Sequence, residues 1–257
     1  MALDLDDVKH EVAVATRVLA NAGLASGALA SLGHVSMRVP GDPTRFVVKG
    51  RGLALDALSV VREEDMVVCD LDGFLLAGPQ GVTQPNEVMI HACILRARPD
   101  VQSVVHVHPR YAVVLSTLGH QMRPVAREGM ALVREPLPVY PDVALVTTKE
   151  EGTALANVLG QRPAALLFGH GAVTAGADLE EAVINMVNLE EQAKMNWYAY
   201  CAAGPDHARI PEDMIAAERR KPRFDELPHM KGLVEQAGVV HARGAWQYWA
   251  QMASIKG

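Results

Sequence analysis

The chain has 257 residues, 49% of them hydrophobic, 21% charged and 5% aromatic, an ordinary globular balance that excludes disordered, collagen-like and fibrous architectures. At this length one α/β domain, or two small ones, can bury a core without a disulfide or metal staple. The net charge of −6, from 30 acidic against 24 basic residues, argues against nucleic acid as a partner, because phosphate contacts are made mainly by Lys and Arg.

Residues 6–21 place Val8, Val12, Ala15 and Leu19 at helical spacing, with acidic residues at the start and Gly23 past the end, which predicts an amphipathic opening helix. The opening MALDLDDVKHEV lacks the positive start and apolar run of a secretory signal. No stretch approaches the ~20 apolar residues of a membrane span. A cytoplasmic protein without a membrane partner is expected. Short β-rich runs follow at His34–Val39, Phe46–Val48 and Met66–Asp70, the last turning through Leu71-Asp72-Gly73 to Phe74-Leu75, so the early sheet is expected to be antiparallel. Asn86 is placed to cap a helix over Glu87–Arg98, which Pro99 and Asp100 stop. Strands are then predicted over Val101–His108, Val143–Thr147 and Ala164–Phe168, and helices over Tyr111–Leu118 and Lys149–Leu159. The longest helix is expected over Leu179–Ala203, behind an Asp178 cap.

Beyond Gly204, four prolines (Pro205, Pro211, Pro222 and Pro228) punctuate a charged segment that precedes an amphipathic piece holding Trp246 and Trp249. The pattern predicts a single α/β/α domain over residues 1–203. Residues 204–257 form an extension that packs on that domain or on a neighbouring subunit, or covers a site. Cys69, Cys93 and Cys201 are odd in number and far apart, which fits reduced thiols better than a disulfide framework.

The most informative stretch is Val104-Val105-His106-Val107-His108-Pro109. Positions i and i+2 of a strand share a face, so His106 and His108 project together near the strand's end, where open α/β sheets commonly bind ligands. Two readings stand side by side: half of a metal site, or a hydrogen-bonded pair of core histidines. His170, between Gly169 and Gly171 after the apolar run Leu166-Leu167-Phe168, is either a third ligand or a histidine at a turn. Glu87 and His91 lie one helical turn apart. An acid at a helix start serves the dipole alone, but beside three histidines it becomes a fourth ligand or a proton carrier. Gly33-His34-Val35-Ser36 and the basic loop Lys49-Gly50-Arg51-Gly52 are either surface hairpins or a holder for an anionic substrate group. His10, His120, His207, His229 and His241 show no partner pattern, and surface or capping roles are their default.

Taken in order, these elements resemble the class II aldolase/adducin family, over about residues 8–203. That family shows a Gly-Asn-x-Ser turn, a Glu-x-x-x-His helix start, a His-x-His strand end and a final His-Gly. Here the corresponding residues are Gly33 to Ser36, Glu87 to His91, His106 to His108, and His170-Gly171. The resemblance implies a mainly antiparallel sheet, a divalent metal on His106, His108 and His170, and Glu87 as catalytic acid/base and further ligand. It also implies a C4 homotetramer with active sites between subunits. Where the family's sugar-phosphate enzymes hold phosphate, this chain has His34, the Lys49-Gly50-Arg51-Gly52 loop and Pro85-Asn86; where the aldolases bring a tyrosine, Val125–Gly129 has none. His34 together with His-x-His-Pro is similar to the decarboxylase branch, which acts on dihydroxyphthalate and a hydroxypyridine dicarboxylate.

The expected activity is therefore carboxy-lyase chemistry on a hydroxylated aromatic dicarboxylate such as 3,4-dihydroxyphthalate, with Mn²⁺ or Zn²⁺ as cofactor. Glu87 or His34 would supply the proton, and Gly33, Ser36, Lys49 and Arg51 would hold the substrate. Two alternatives stand beside it: a sugar-phosphate or hydroxy-ketoacid aldolase, and an adducin-like scaffold without catalysis.

Overall fold

A computed structural model describes residues 3–222, 226–230 and 244–255. The apolar runs form β1 (His34–Val39), β2 (Asp42–Lys49), β3 (Met66–Asp70), β4 (Leu75–Ala77), β5 (Ser103–Val107), β6 (Val139–Tyr140), β7 (Ala164–Leu167) and β8 (Gly171–Gly176). They join in one sheet of order β4-β3-β2-β1-β5-β8-β7-β6. Only the β6–β7 pair is parallel, as expected for a mainly antiparallel sheet.

The period of two sorts the strand side chains between two cores. Val35, Val47, Val68, Val105, Val107, Leu166 and Ala172 face α1 (Leu5–Asn21), α3 (Arg110–Thr117), α4 (Met130–Val133) and α6 (Leu179–Ala203). Phe46, Val48, Val67, Val104, Leu167 and Val173 face α2 (Val88–Ala97) and α5 (Lys149–Leu159). The sheet thus lies between two helical layers. α1 is fixed at its start by a capping box between Asp4 and Asp7. The last described helix, Gly244–Ile255, lies against α1, with Trp246, Trp249 and Ala250 packed on the first core; α7 (Glu212–Arg219) precedes it. His241 lies outside the described residues. Cys69 and Cys93 are buried and Cys201 is exposed, all three free.

Two expectations need correction, and one strand goes beyond them. Val143–Thr147 is a loop, not a strand: Asp142 turns the chain by accepting from the Ala144 amide at 2.9 Å, and Val143 and Leu145 are 62% and 48% exposed. β8 was not foreseen, because its run of small residues between glycines carries no strong strand signal. Asn86 does not cap α2; Glu87 occupies the cap position, and no side chain bonds the free amides there.

Gly33 enters β1 at φ +110°, and a Cβ there would lie 2.6 Å from Val107 Cγ1 and 2.8 Å from the His106 carbonyl oxygen. Gly33→Ala should therefore lower stability by about 2–4 kcal/mol, combining left-handed strain with overpacking. Urea unfolding measures this, and an unchanged midpoint would contradict the close approach.

Candidate metal centre and active site

β5 delivers His106 to the α2 side of the sheet and carries His108 just past its end, where Pro109 leads into α3. α3 has no side-chain cap of its own. Instead Glu190 of α6 accepts from the amides of Tyr111 and Ala112, each at 3.0 Å, pinning the turn that holds His108. Burial raises the pKa of the Glu190 carboxyl despite those amides. His170 sits in the turn between β7 and β8. Its amide donates to the Leu167 carbonyl at 3.1 Å, and the Gly169 amide donates to Ser116 Oγ at 2.9 Å. Gly171 begins β8 where a Cβ would come within 2.6 Å of the Val107 carbonyl and 3.0 Å of the His106 ring; only glycine lets the strand close on the histidines. Glu87 is positioned by the Val146 amide, which donates to Oε1 at 3.1 Å. The loop that was expected to be a strand supplies that amide.

These four side chains converge. One donor atom from each of Glu87, His106, His108 and His170 lies within 4.8 Å of all the others. His106 Nε2 is 3.2 Å from His108 Nε2 and 3.6 Å from Glu87 Oε2, and His170 Nε2 is 3.4 Å from Glu87 Oε1. Ligands bonded at zinc distances on a tetrahedron stand about 3.4 Å apart, close to these three separations. Two further observations fit a cation. His106 Nδ1 is 3.0 Å from the Ala172 carbonyl, so it donates there and leaves the Nε2 lone pair facing the cluster. Both ring nitrogens of His170 are buried without a hydrogen-bond partner, an expensive state for a histidine with no ligand to bind.

The electrostatics favour deprotonated ligands. Burial, then the neighbouring His106 and His170, pushes the His108 imidazole down to about 3. Burial alone would raise the Glu87 carboxyl, but contacts with His106 and His170 outweigh it and hold the group well below the usual carboxylate range.

Glu87 and His108 of the cluster line a cavity together with Gly33, His34, Lys49, Arg51, Pro85, Asn86 and Leu145. Gly33, His34, Lys49 and Arg51 thus stand where a substrate would meet the cluster. Lys49 is buried and ion-paired to Asp56; burial lowers its pKa although Asp56 opposes this. Arg51 is 3.7 Å from the same carboxylate and donates to the Ser31 carbonyl at 3.2 Å. Asp56, which carried no sequence signal, ties the two cations together. Ser36 stands elsewhere than expected. It is fully buried, with Oγ 2.6 Å from His91 Nδ1, and His91 Nε2 lies 2.6 Å from His34 Nδ1. The reason is the strand period: Ser36 shares its face with His34 but lies two residues deeper, beneath α2. His91 consequently joins His34 and not the cluster. Burial, then the proximity of His106, lowers the His91 imidazole to about 3, and burial, then His91, lowers His34 well below its ordinary value. Of the remaining histidines, His10 pairs with Glu63 at 2.9 Å, and His207 is buried just past α6, its amide donating to the Gly204 carbonyl at 3.2 Å, so of the expected surface or capping roles the surface one does not hold.

An antiparallel sheet between helical layers, with three histidines and a glutamate at one end, defines an architecture of the class II aldolase type. A crystal structure of an aldolase II superfamily protein from Pseudomonas syringae overlays on 100% of this chain and 96% of its own with a TM-score of 0.79 at 21% identity. Residues 10–197 match the class II aldolase and adducin N-terminal domain. The 3,4-dihydroxyphthalate decarboxylase of Terrabacter sp. (strain DBF63) is 34% identical over 222 residues, covering 84% of this chain and 90% of that one. The enzyme of the same name from Arthrobacter keyseri is 33% identical over 218 residues, covering 79% and 86%. The chain belongs to the class II aldolase and adducin family, in the decarboxylase-like branch that these relatives represent.

Two outcomes follow from the site. Elemental analysis should find about one divalent ion per chain, and His170→Ala should weaken its binding at least about 100-fold; binding unaffected by that change would remove His170 from the set. Because His91 is neutral down to about 3 when folded but protonates near 6.5 when unfolded, only the unfolded chain gains its proton between those values. Its contribution to stability is therefore complete above about pH 6.5 and falls on acidification by on the order of 1 kcal/mol per pH unit. Denaturant midpoints from pH 7.5 to 4.5 should fall less steeply in His91→Gln than in the parent, and equal slopes would contradict the assignment.

Proposed function

We propose that this chain is a metal-dependent decarboxylase of a hydroxylated aromatic dicarboxylate, with 3,4-dihydroxyphthalate as its substrate. The observation that carries the reading is the placement of the ionised Glu87 carboxylate among His106, His108 and His170, on the floor of a cavity whose wall presents Lys49 and Arg51. The relatives' shared activity supports the same reading. A divalent cation, Mn²⁺ or Zn²⁺, held by His106, His108, His170 and Glu87, would supply Lewis acidity toward a substrate oxygen.

The chain's own residues account for the rest. Lys49 and Arg51 hold the carboxylate that is retained, as cations suited to an anionic group. Glu87, kept ionised by its histidine neighbours, accepts the proton of the ring hydroxyl adjacent to the departing carboxylate. It returns that proton to the ring carbon bearing that carboxylate, giving a ketone-like tautomer. The C–C bond then breaks, CO₂ leaves, and the electron pair restores the aromatic ring with the oxygen as phenolate, which takes a proton from solvent. One carboxylate thus serves as base and then acid. His34, the cross-strand neighbour of His106 on the same face, faces the same substrate.

We also read the protein as a cytoplasmic homo-oligomer, a C4 tetramer acting in aromatic catabolism. Val143, Leu145 and Phe168, exposed by 62%, 48% and 43% beside the site, support burial by a second subunit, and the free thiols suit a reducing compartment.

Glu87→Gln should lower CO₂ release from 3,4-dihydroxyphthalate by roughly 10²–10⁴-fold with an unchanged circular dichroism spectrum; full turnover would exclude Glu87 from proton transfer. Arg51→Met should raise KM about tenfold with a smaller change in kcat, the loss of one charge-assisted contact. Cleavage of a ketose phosphate by a protein that releases no CO₂ from aromatic acids would replace this reading with an aldolase.

A further inference from the structure

His91 and Ser36 are buried polar groups that the proposed chemistry leaves unused. They form a continuous line with His34: Ser36 Oγ to His91 Nδ1 at 2.6 Å, then His91 Nε2 to His34 Nδ1 at 2.6 Å. The His91 ring is fully buried and stacks on Phe46, with centroids 6.3 Å apart at 26°, so its plane is fixed. His34 lines the cavity, and since its Nδ1 is engaged, Nε2 is its remaining polar atom.

The line can carry its protons in two directions. If His91 Nδ1–H donated to Ser36, the serine proton would need another acceptor, and among the described residues Ser36 Oγ has no hydrogen-bond partner but His91. In the other direction Ser36 O–H donates to His91 Nδ1, His91 Nε2–H donates to His34 Nδ1, and His34 Nε2–H faces the cavity. Every donor within the line is then satisfied, and the His34 Nε2–H is left for a group in the cavity. The difference, one unsatisfied buried hydroxyl, favours this direction on the order of tenfold to a hundredfold.

We propose that Ser36 and His91 are positioning residues that lock His34 in the neutral tautomer protonated on Nε2, so that His34 offers the anionic substrate a hydrogen bond without a charge. The identity of that substrate rests on the decarboxylase reading. The device suits its place: the His34 and His106 ring centroids are 5.3 Å apart, and an imidazolium so close to a cation site would be repelled, whereas a neutral N–H is not.

The test is ¹⁵N–¹H correlation spectroscopy of the Zn²⁺-loaded protein labelled on histidine. The His34–His91 pair is identified by coupling across its hydrogen bond and checked by the signals lost in His34→Gln. The expected pattern is a protonated Nε2 and a bare Nδ1 on His34. His91→Gln, whose amide can donate from a similar place, should keep that pattern, and His91→Leu should give a mixture of tautomers. Ser36→Thr should behave as the parent and Ser36→Ala as His91→Leu. With 3,4-dihydroxyphthalate, His91→Leu should lower kcat/KM about tenfold, mainly through KM, and His91→Gln should recover most of it. A parent protein with His34 protonated on Nδ1 or on both nitrogens, or a pattern indifferent to His91→Leu, overturns the proposal. The spectra need no substrate, so the expected tautomer in a protein that releases no CO₂ would refute the decarboxylase reading while leaving the lock in place.

Discussion

Glu87, His106, His108 and His170 each bring one donor atom within 4.8 Å of the others, with His106–His108, His106–Glu87 and His170–Glu87 contacts of 3.2–3.6 Å, a crowding of lone pairs that a bound cation would relieve. Three are imidazole nitrogens, and the one whose orientation is fixed by the backbone, His106, turns its lone pair inward. The fourth is a carboxylate that its neighbours keep ionised. In a protein without a cation such a cluster would repel itself and strand two polar atoms of His170. The surrounding structure serves to hold these groups together in spite of that repulsion.

The holding is done by the sheet and by a few contacts remote in sequence. β5 lies between β1 and β8, so its end is rigid, and the turn that presents His170 enters β8 directly beside it. The exit of β5 is held by Glu190 from the longest helix, and Glu87 by the Val146 amide from a loop. Each ligand is thereby fixed by a different part of the chain. Pre-set geometry of this kind is what a metal centre requires of its protein.

Much of this was legible in the sequence because it is local. The strand period places His106 and His108 together, and helical spacing and caps locate α1, α5 and α6 to within a residue or two. The family resemblance supplied the order that joined Glu87 and His170 to them. What could not be read depends on pairs far apart along the chain. Asp56 bridging Lys49 and Arg51, Glu190 capping α3, and Ser36 beneath His91 have no signature in a short window. Val143–Thr147 misled for a different reason. A short apolar run looks the same whether it enters a sheet or lies exposed beside a site.

His34 and His106 are cross-strand partners on β1 and β5, and that seam divides the work. On one side stand the four candidate ligands, from β5, the β7–β8 turn and the start of α2; on the other stand Gly33, His34, Lys49 and Arg51, from β1, β2 and their flanking turns. A lineage can therefore exchange residues on the second side and acquire a new molecule to act on, while the inherited reactive centre stays intact.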